Sequence, residues 1–184
     1  IAVASLERLA KTSNLAPTGT IRLTIYPSAD DLKGAMNHTT DWMGGVAFSE
    51  YRIVLIAIPT DSDASWPEEV IPHELAHLIF GQRIFNCLGG GAPAWINEGM
   101  AMYAEGPVKD AERAAVLAEL QKGTLQSLTS IANGFPADSR RANLAYLQSK
   151  LLVDFLIETY GNDQLDVLLD EFKAGRGAES AFRL

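Results

Sequence analysis

A single cysteine, Cys87, stands among the 184 residues, so no internal disulfide is available and cysteine usage is silent about redox compartment. A small, weakly polar side chain of this kind is expected to be buried. No apolar run reaches about 18 residues, and no membrane-spanning helix is expected. Lysine and arginine do not cluster; the densest run is Arg140-Arg141, and the formal net charge is −8. That balance excludes nucleic acid and anionic membrane surfaces as expected partners, because both call for grouped cations. Repeats, low-complexity tracts and long linkers are missing too, so residues 1–184 are expected to form one domain. The sequence starts at Ile1 and not at Met. This points to a processed or truncated piece of a longer chain, and an extracytoplasmic or membrane-anchored full-length protein is the expectation.

Histidine is also scarce, three in all, and two of the three fall in His73-Glu74-Leu75-Ala76-His77. On a helix, positions i and i+4 lie about 5–6 Å apart at Cβ. Two imidazoles so placed can converge on one metal ion at about 2.0–2.1 Å from each nitrogen. A glutamate following the first histidine can serve as general base to a water held by that metal, which is the logic of H-E-x-x-H. The competing reading is a surface helix with two solvated histidines. A catalytic zinc site keeps three protein ligands and one open position, so a third ligand is sought downstream. Glu98, in Trp95-Ile96-Asn97-Glu98-Gly99-Met100-Ala101, is the candidate, with 20 residues between it and His77. That interval lets the first helix end, the chain reverse and a second helix return.

HELAH followed by WINEGMA resembles the gluzincin zinc metallopeptidases, in particular their compact peptidase MA-like domains. Trp42-Met43-Gly44-Gly45-Val46-Ala47 is similar to the family's segment before its edge strands. The stretch from Ala145-Tyr146 to Tyr160-Gly161 is similar to its long C-terminal helix. The likeness covers roughly residues 20–184. It implies a zincin-like fold, a peptide or protein substrate, Zn2+ on His73, His77 and Glu98, and Glu74 as general base. It also implies an oxyanion donor from the helical half, for which Tyr146 is the leading candidate and Tyr103 and Arg141 the fallbacks. An aromatic packed into the core is the other reading of Tyr146. Many gluzincins carry a carboxylate four residues after the glutamate ligand to orient a metal-bound histidine. Here that position is Met102, and Glu105 or a backbone carbonyl is the expected substitute.

The rest of the chain reads as a few early strands followed by helices. A helix over residues 1–12 precedes a strand at Ile21–Tyr26, and Ser28 is expected to cap a helix running to about His38. His38 reads as a surface residue, and Asn37-His38-Thr39 matches the common glycosylation pattern. Val46–Phe48 and Ile53–Ile58 are expected to form a hairpin. Val46–Phe48 is either the edge strand with which substrate main chain pairs, as the resemblance implies, or an ordinary outer strand. Ser65 to Glu68 has capping-box form, while Pro72 demands either a kink or a helix start at that residue. The helix carrying His73 is apolar around most of its surface and should be central. Gly89-Gly90-Gly91 and Pro93 read as a connector. Helices are expected over Lys109–Lys122, Thr124–Ala132, Asp138–Tyr160, from Asn162 to Ala174, and over Glu179–Leu184. The fold class is α+β, a small, largely antiparallel sheet packed on a helical body.

The chemistry expected of these residues is hydrolysis of a peptide bond by a zinc-activated water, with Glu74 taking and returning the proton. The competing reading is a catalytically idle gluzincin-like domain that binds a protein or peptide, against which the intact motif argues. A purely structural zinc domain would need a fourth ligand, and none is visible nearby.

Overall fold

The computed structural model describes residues 1–36, 44–87 and 91–183. His38 with its Asn37-His38-Thr39 pattern, Trp42-Met43 and Gly89-Gly90 lie outside the described residues. The chain divides into two compact units, Ile1–Gln82 and Arg83–Leu184.

In the first unit, α1 (Ala2–Ser13) ends on Asn14 in the left-handed conformation, φ 53°. Its buried positions Ser5, Leu9 and Ser13 recur every four residues, the spacing of one helix face. The strand β1 (Arg22–Tyr26) leads into α2 (Ala29–Gly34). The Ser28 hydroxyl caps α2 by accepting from the Asp31 N–H at 3.0 Å. This helix stops short of the expected His38, its end tightening through Met36 N–H to the Lys33 carbonyl, 3.0 Å.

The strands β2 (Gly45–Phe48) and β3 (Ile53–Ala57) form the expected hairpin, with Phe48 opposite Ile53. The class is α+β as the sequence suggests, but the sheet is mixed. β3 lies in the middle, antiparallel to β2 and parallel to β1. The reason is topological: the hairpin returns its second strand, not its first, to the side of β1. A central strand is covered more completely than its neighbours, and Val54, Ile56 and Ala57 are accordingly buried.

The long helix α3 (Trp66–Ile84), nearly all of it in this unit, runs through Pro72 instead of starting there. Its expected central position holds, since Val70, Ile71, Leu75, Ala76, Leu78, Ile79 and Phe80 are all buried. No helix among the described residues is long and apolar enough to cross a membrane.

The second unit is helical. α4 (Ala94–Glu105) starts just after Pro93, and its first N–H, from Ala94, reaches the Ala132 carbonyl at 2.7 Å. α5 (Asp110–Gln121) opens with the Glu112 carboxylate accepting from the Lys109 N–H at 2.8 Å. Residues 124–132, expected to be helical, are irregular, with turns from 128 to 131. Gln148 holds that segment instead, its amide making two bonds to the backbone of Gln126, 3.2 and 2.8 Å. A segment bonded this way to a side chain has no need of its own helical ladder.

α6 (Ser139–Lys173) is capped by Asp138, whose carboxylate accepts from the Arg141 N–H at 2.9 Å. Gly161, with φ 78° and ψ 169°, interrupts it, so the two helices read from the sequence are joined across a kink. Asn162, expected to cap the second of them, has a buried Oδ1 that accepts no hydrogen bond among the described residues. A short α7 (Ala178–Ala181) closes the chain. Cys87, expected to be buried, is exposed; it follows the end of α3, where the chain has left the helix.

Candidate metal centre

The spacing of His73 and His77 does what helical geometry requires. Their Nε2 atoms are 3.1 Å apart, and the rings meet edge-on with centroids 4.7 Å apart. Two nitrogens at about 2.0–2.1 Å from a common ion and separated by that distance subtend roughly 100°, close to tetrahedral. Both rings are half-buried, so each keeps a face available while its backbone stays in a packed helix.

Glu98 lies in the first half of α4 and is half-buried. The ligand atoms offered by His73, His77 and Glu98 all lie within 4.8 Å of one another. Two imidazoles, a carboxylate and no thiolate make a donor set suited to zinc and less to copper(I) or an iron–sulfur cluster. The residues present fit the ion.

Glu74 is buried, with 7% of its surface exposed. Its carboxylate packs against the backbone of Gly45, the first residue of β2. A β-carbon at Gly45 would lie 2.6 Å from Glu74 Cγ and 2.9 Å from its Oε1. The neighbouring contacts repeat this closeness. A β-carbon at Gly44 would meet the Trp66 ring at 2.6 Å, and one at Gly81 would run into the Ser49 hydroxyl. Ser49 also donates to the His77 carbonyl at 3.3 Å, and Trp66 Nε1 donates to the Ala57 carbonyl at 3.0 Å. The helix residues concerned, Trp66, Glu74, His77 and Gly81, recur at seven- and eight-residue intervals or their parts. That is the stripe of one helix face.

In the second unit, Gly99 plays a matching part beside Glu98. A β-carbon there would lie 2.5 Å from the Ser149 carbonyl oxygen and 2.7 Å from Val153 Cγ2, both on α6. Sequence reasoning quoted Gly45 and Gly99 inside longer segments but gave neither a role. The available signal was a glycine inside a strand or helix pattern, which marks a close approach of backbones.

The oxyanion candidates are placed as follows. Tyr146 is half-buried on α6, its ring edge-on to Phe135 with centroids 4.7 Å apart. The polar residues one turn further on do not line an open surface. Ser149 is buried and donates to the Ala145 carbonyl at 2.7 Å, and Lys150 is buried and paired with Glu112 at 3.0 Å. Tyr103 has its phenol pKa raised, by burial first and then by the carboxylates of Asp154 and Glu158, so it stays protonated at neutral pH. Arg141 is exposed, and its backbone is tied up by Asp138 and by Gln126 Nε2, the latter at 2.7 Å. Met102 and Glu105 are both half-buried on α4.

Set against known proteins, the chain matches the family model of the peptidase MA superfamily over residues 1–184. No curated protein and no solved structure matches it significantly.

Proposed function

From the premise that the chain belongs to the peptidase MA superfamily, a gluzincin domain over its full length, we propose that it is a zinc-dependent peptidase. The observation that carries the reading is the convergence of His73, His77 and Glu98, whose ligand atoms lie within 4.8 Å of one another. His73 and His77 would hold a zinc ion through Nε2 and Glu98 through a carboxylate oxygen, and the ion would supply Lewis acidity toward a carbonyl and a water. Glu74 accepts the proton of the attacking water and passes it to the leaving amine nitrogen. Tyr146 donates its hydroxyl hydrogen to the carbonyl oxygen as negative charge grows there. The substrate is a peptide or protein whose main chain adds to β2. Among the described residues the sheet order leaves that strand with one unpaired edge, the requirement for strand addition.

The test separates catalysis from binding. Glu74→Gln keeps size and hydrogen bonding but takes no proton. We expect it to retain about one zinc per chain, as a three-ligand site does, and to lose about 10²–10⁴-fold in peptide cleavage. Equal cleavage by wild type and variant removes Glu74 as the base. Peptide binding without cleavage by either protein replaces the peptidase with a catalytically idle binding domain.

A further inference from the structure

We propose that Gly45 is a positioning residue: the missing side chain at the start of β2 is the space that fixes the Glu74 carboxylate. This rests on the peptidase reading of Glu74. The stripe on α3 meets β2 and the residues flanking it at three levels, with Trp66 against Gly44, Glu74 against Gly45, and Gly81 against Ser49. At the first and third levels an aromatic ring and a serine fill the gap a glycine leaves. At the middle level the group filling it is the reacting carboxylate. The fit is tight over three atoms, since a β-carbon on Gly45 would lie 2.6, 2.8 and 2.9 Å from Glu74 Cγ, Cδ and Oε1.

Gly45 has no conformational need to be glycine. It sits in a regular strand, paired opposite Ile56, and is absent from the positions with positive φ. The need is steric. Any side chain there must push the carboxylate along the helix face or push β2 away from α3. A carboxylate that must be within hydrogen-bond reach of a proton in flight loses rate steeply with displacement, about 100-fold for roughly 1 Å in sensitive cases. The glutamate is also held at the level of the strand's first residue. Movement of the strand and movement of the base are therefore coupled.

The test is a double-substitution cycle of Gly45→Ala with Glu74→Ala, which removes the Cγ, Cδ and Oε1 that the new methyl would meet. Zinc content and Tm of the metal-free protein are read for all four proteins, and turnover and KM on a cleaved peptide for the wild type and Gly45→Ala. In the wild-type background Gly45→Ala should lower kcat at least about tenfold with KM and zinc content unchanged. Its Tm loss there, about 3–10 °C for overpacking in a chain of this size, should largely vanish in the Glu74→Ala background, because the clash is gone. Equal Tm losses in both backgrounds, or a normal kcat in Gly45→Ala, overturn the proposal. If Gly45→Ala does not fold, recovery of folding in the double variant supports it and continued failure overturns it. If the wild type cleaves no peptide, the peptidase reading falls, and the Tm cycle alone still decides whether Glu74 occupies the space at Gly45.

Discussion

The β2–α3 contact and the α4–α6 contact both depend on a glycine beside a candidate site residue, yet they are built oppositely. In the first, the glycine belongs to the strand, and what it admits is the side chain of Glu74. In the second, the glycine belongs to the helix that carries the candidate ligand, next to Glu98, and what it admits is the backbone of α6 at Ser149. A side chain can yield by rotating; a helix backbone cannot. The first contact therefore fixes the position of one carboxylate, and the second fixes the position of a whole helix. Damage to the first should appear in turnover, and damage to the second in stability and metal affinity together.

The largest expected effect sharpens that contrast by removing a ligand outright. His77→Ala leaves one imidazole and one carboxylate, and elemental analysis should find zinc lost from the purified protein. Full retention of zinc by this variant removes His77 from the metal site. His77 also receives the Ser49 hydroxyl on its backbone carbonyl, which the substitution leaves in place, so α3 should keep its seat on β2. Next in size is Tyr146→Phe. It keeps the ring that packs on Phe135 and deletes one hydroxyl, so the loss should fall in kcat, about 10²–10³-fold, with KM and Tm little changed. A near-normal rate makes Tyr146 a packing residue and leaves the oxyanion to another donor.

Much of this organisation was legible in the sequence, and the exceptions have physical causes. The candidate ligand and base positions are local: the spacing of His73, Glu74 and His77 depends only on helical periodicity, which α3 obeys despite Pro72. The kink at Gly161 and the cap at Ser28 are local as well. What could not be read was which strand pairs with which. The parallel β1–β3 pairing follows from where the hairpin docks, which neither strand encodes alone. Residues 124–132 show helical composition but are recruited by Gln148 across 22 positions, a tertiary contact overriding a weak local preference. A polar stripe such as Ser149 and Lys150 on α6 ordinarily marks an open face. Its members instead find partners inside, Ser149 on its own helix and Lys150 on Glu112.

Gly99→Ala carries an effect of the next size. The new methyl meets a carbonyl oxygen at 2.5 Å and a valine methyl at 2.7 Å, neither of which is the free end of a long side chain. Overpacking of this kind costs about 1–3 kcal/mol, and thermal unfolding should report it as a loss of roughly 3–10 °C. Zinc affinity should weaken in parallel, because Glu98 is the adjacent residue. A variant that loses stability at full zinc affinity would break the comparison, showing that Glu98 does not depend on the seat of α4.

The smallest effect is a pH dependence carried by the pair that flanks this seat. Lys150 is buried, 2% exposed, and its ammonium lies 3.0 Å from Glu112 on α5. Burial alone would raise the Glu112 carboxyl pKa. The backbone N–H of Lys109 and then the Lys150 ammonium outweigh it, and the pKa is lowered. A carboxylate whose folded pKa lies below its unfolded value adds stability above the unfolded value, about 4.3 for glutamate. That stability disappears as the pH falls through the folded pKa. Lys150→Met keeps the length of the stem and removes the charge, so it withdraws one of the influences that hold the pKa down. Urea unfolding should then show a lower stability near neutrality and a shallower fall between about pH 5 and 3, while the Lys109 N–H keeps part of the slope in place. An acid limb identical to that of the wild type would mean that the cap bond alone sets the Glu112 pKa and that Lys150 serves α6 only by filling space.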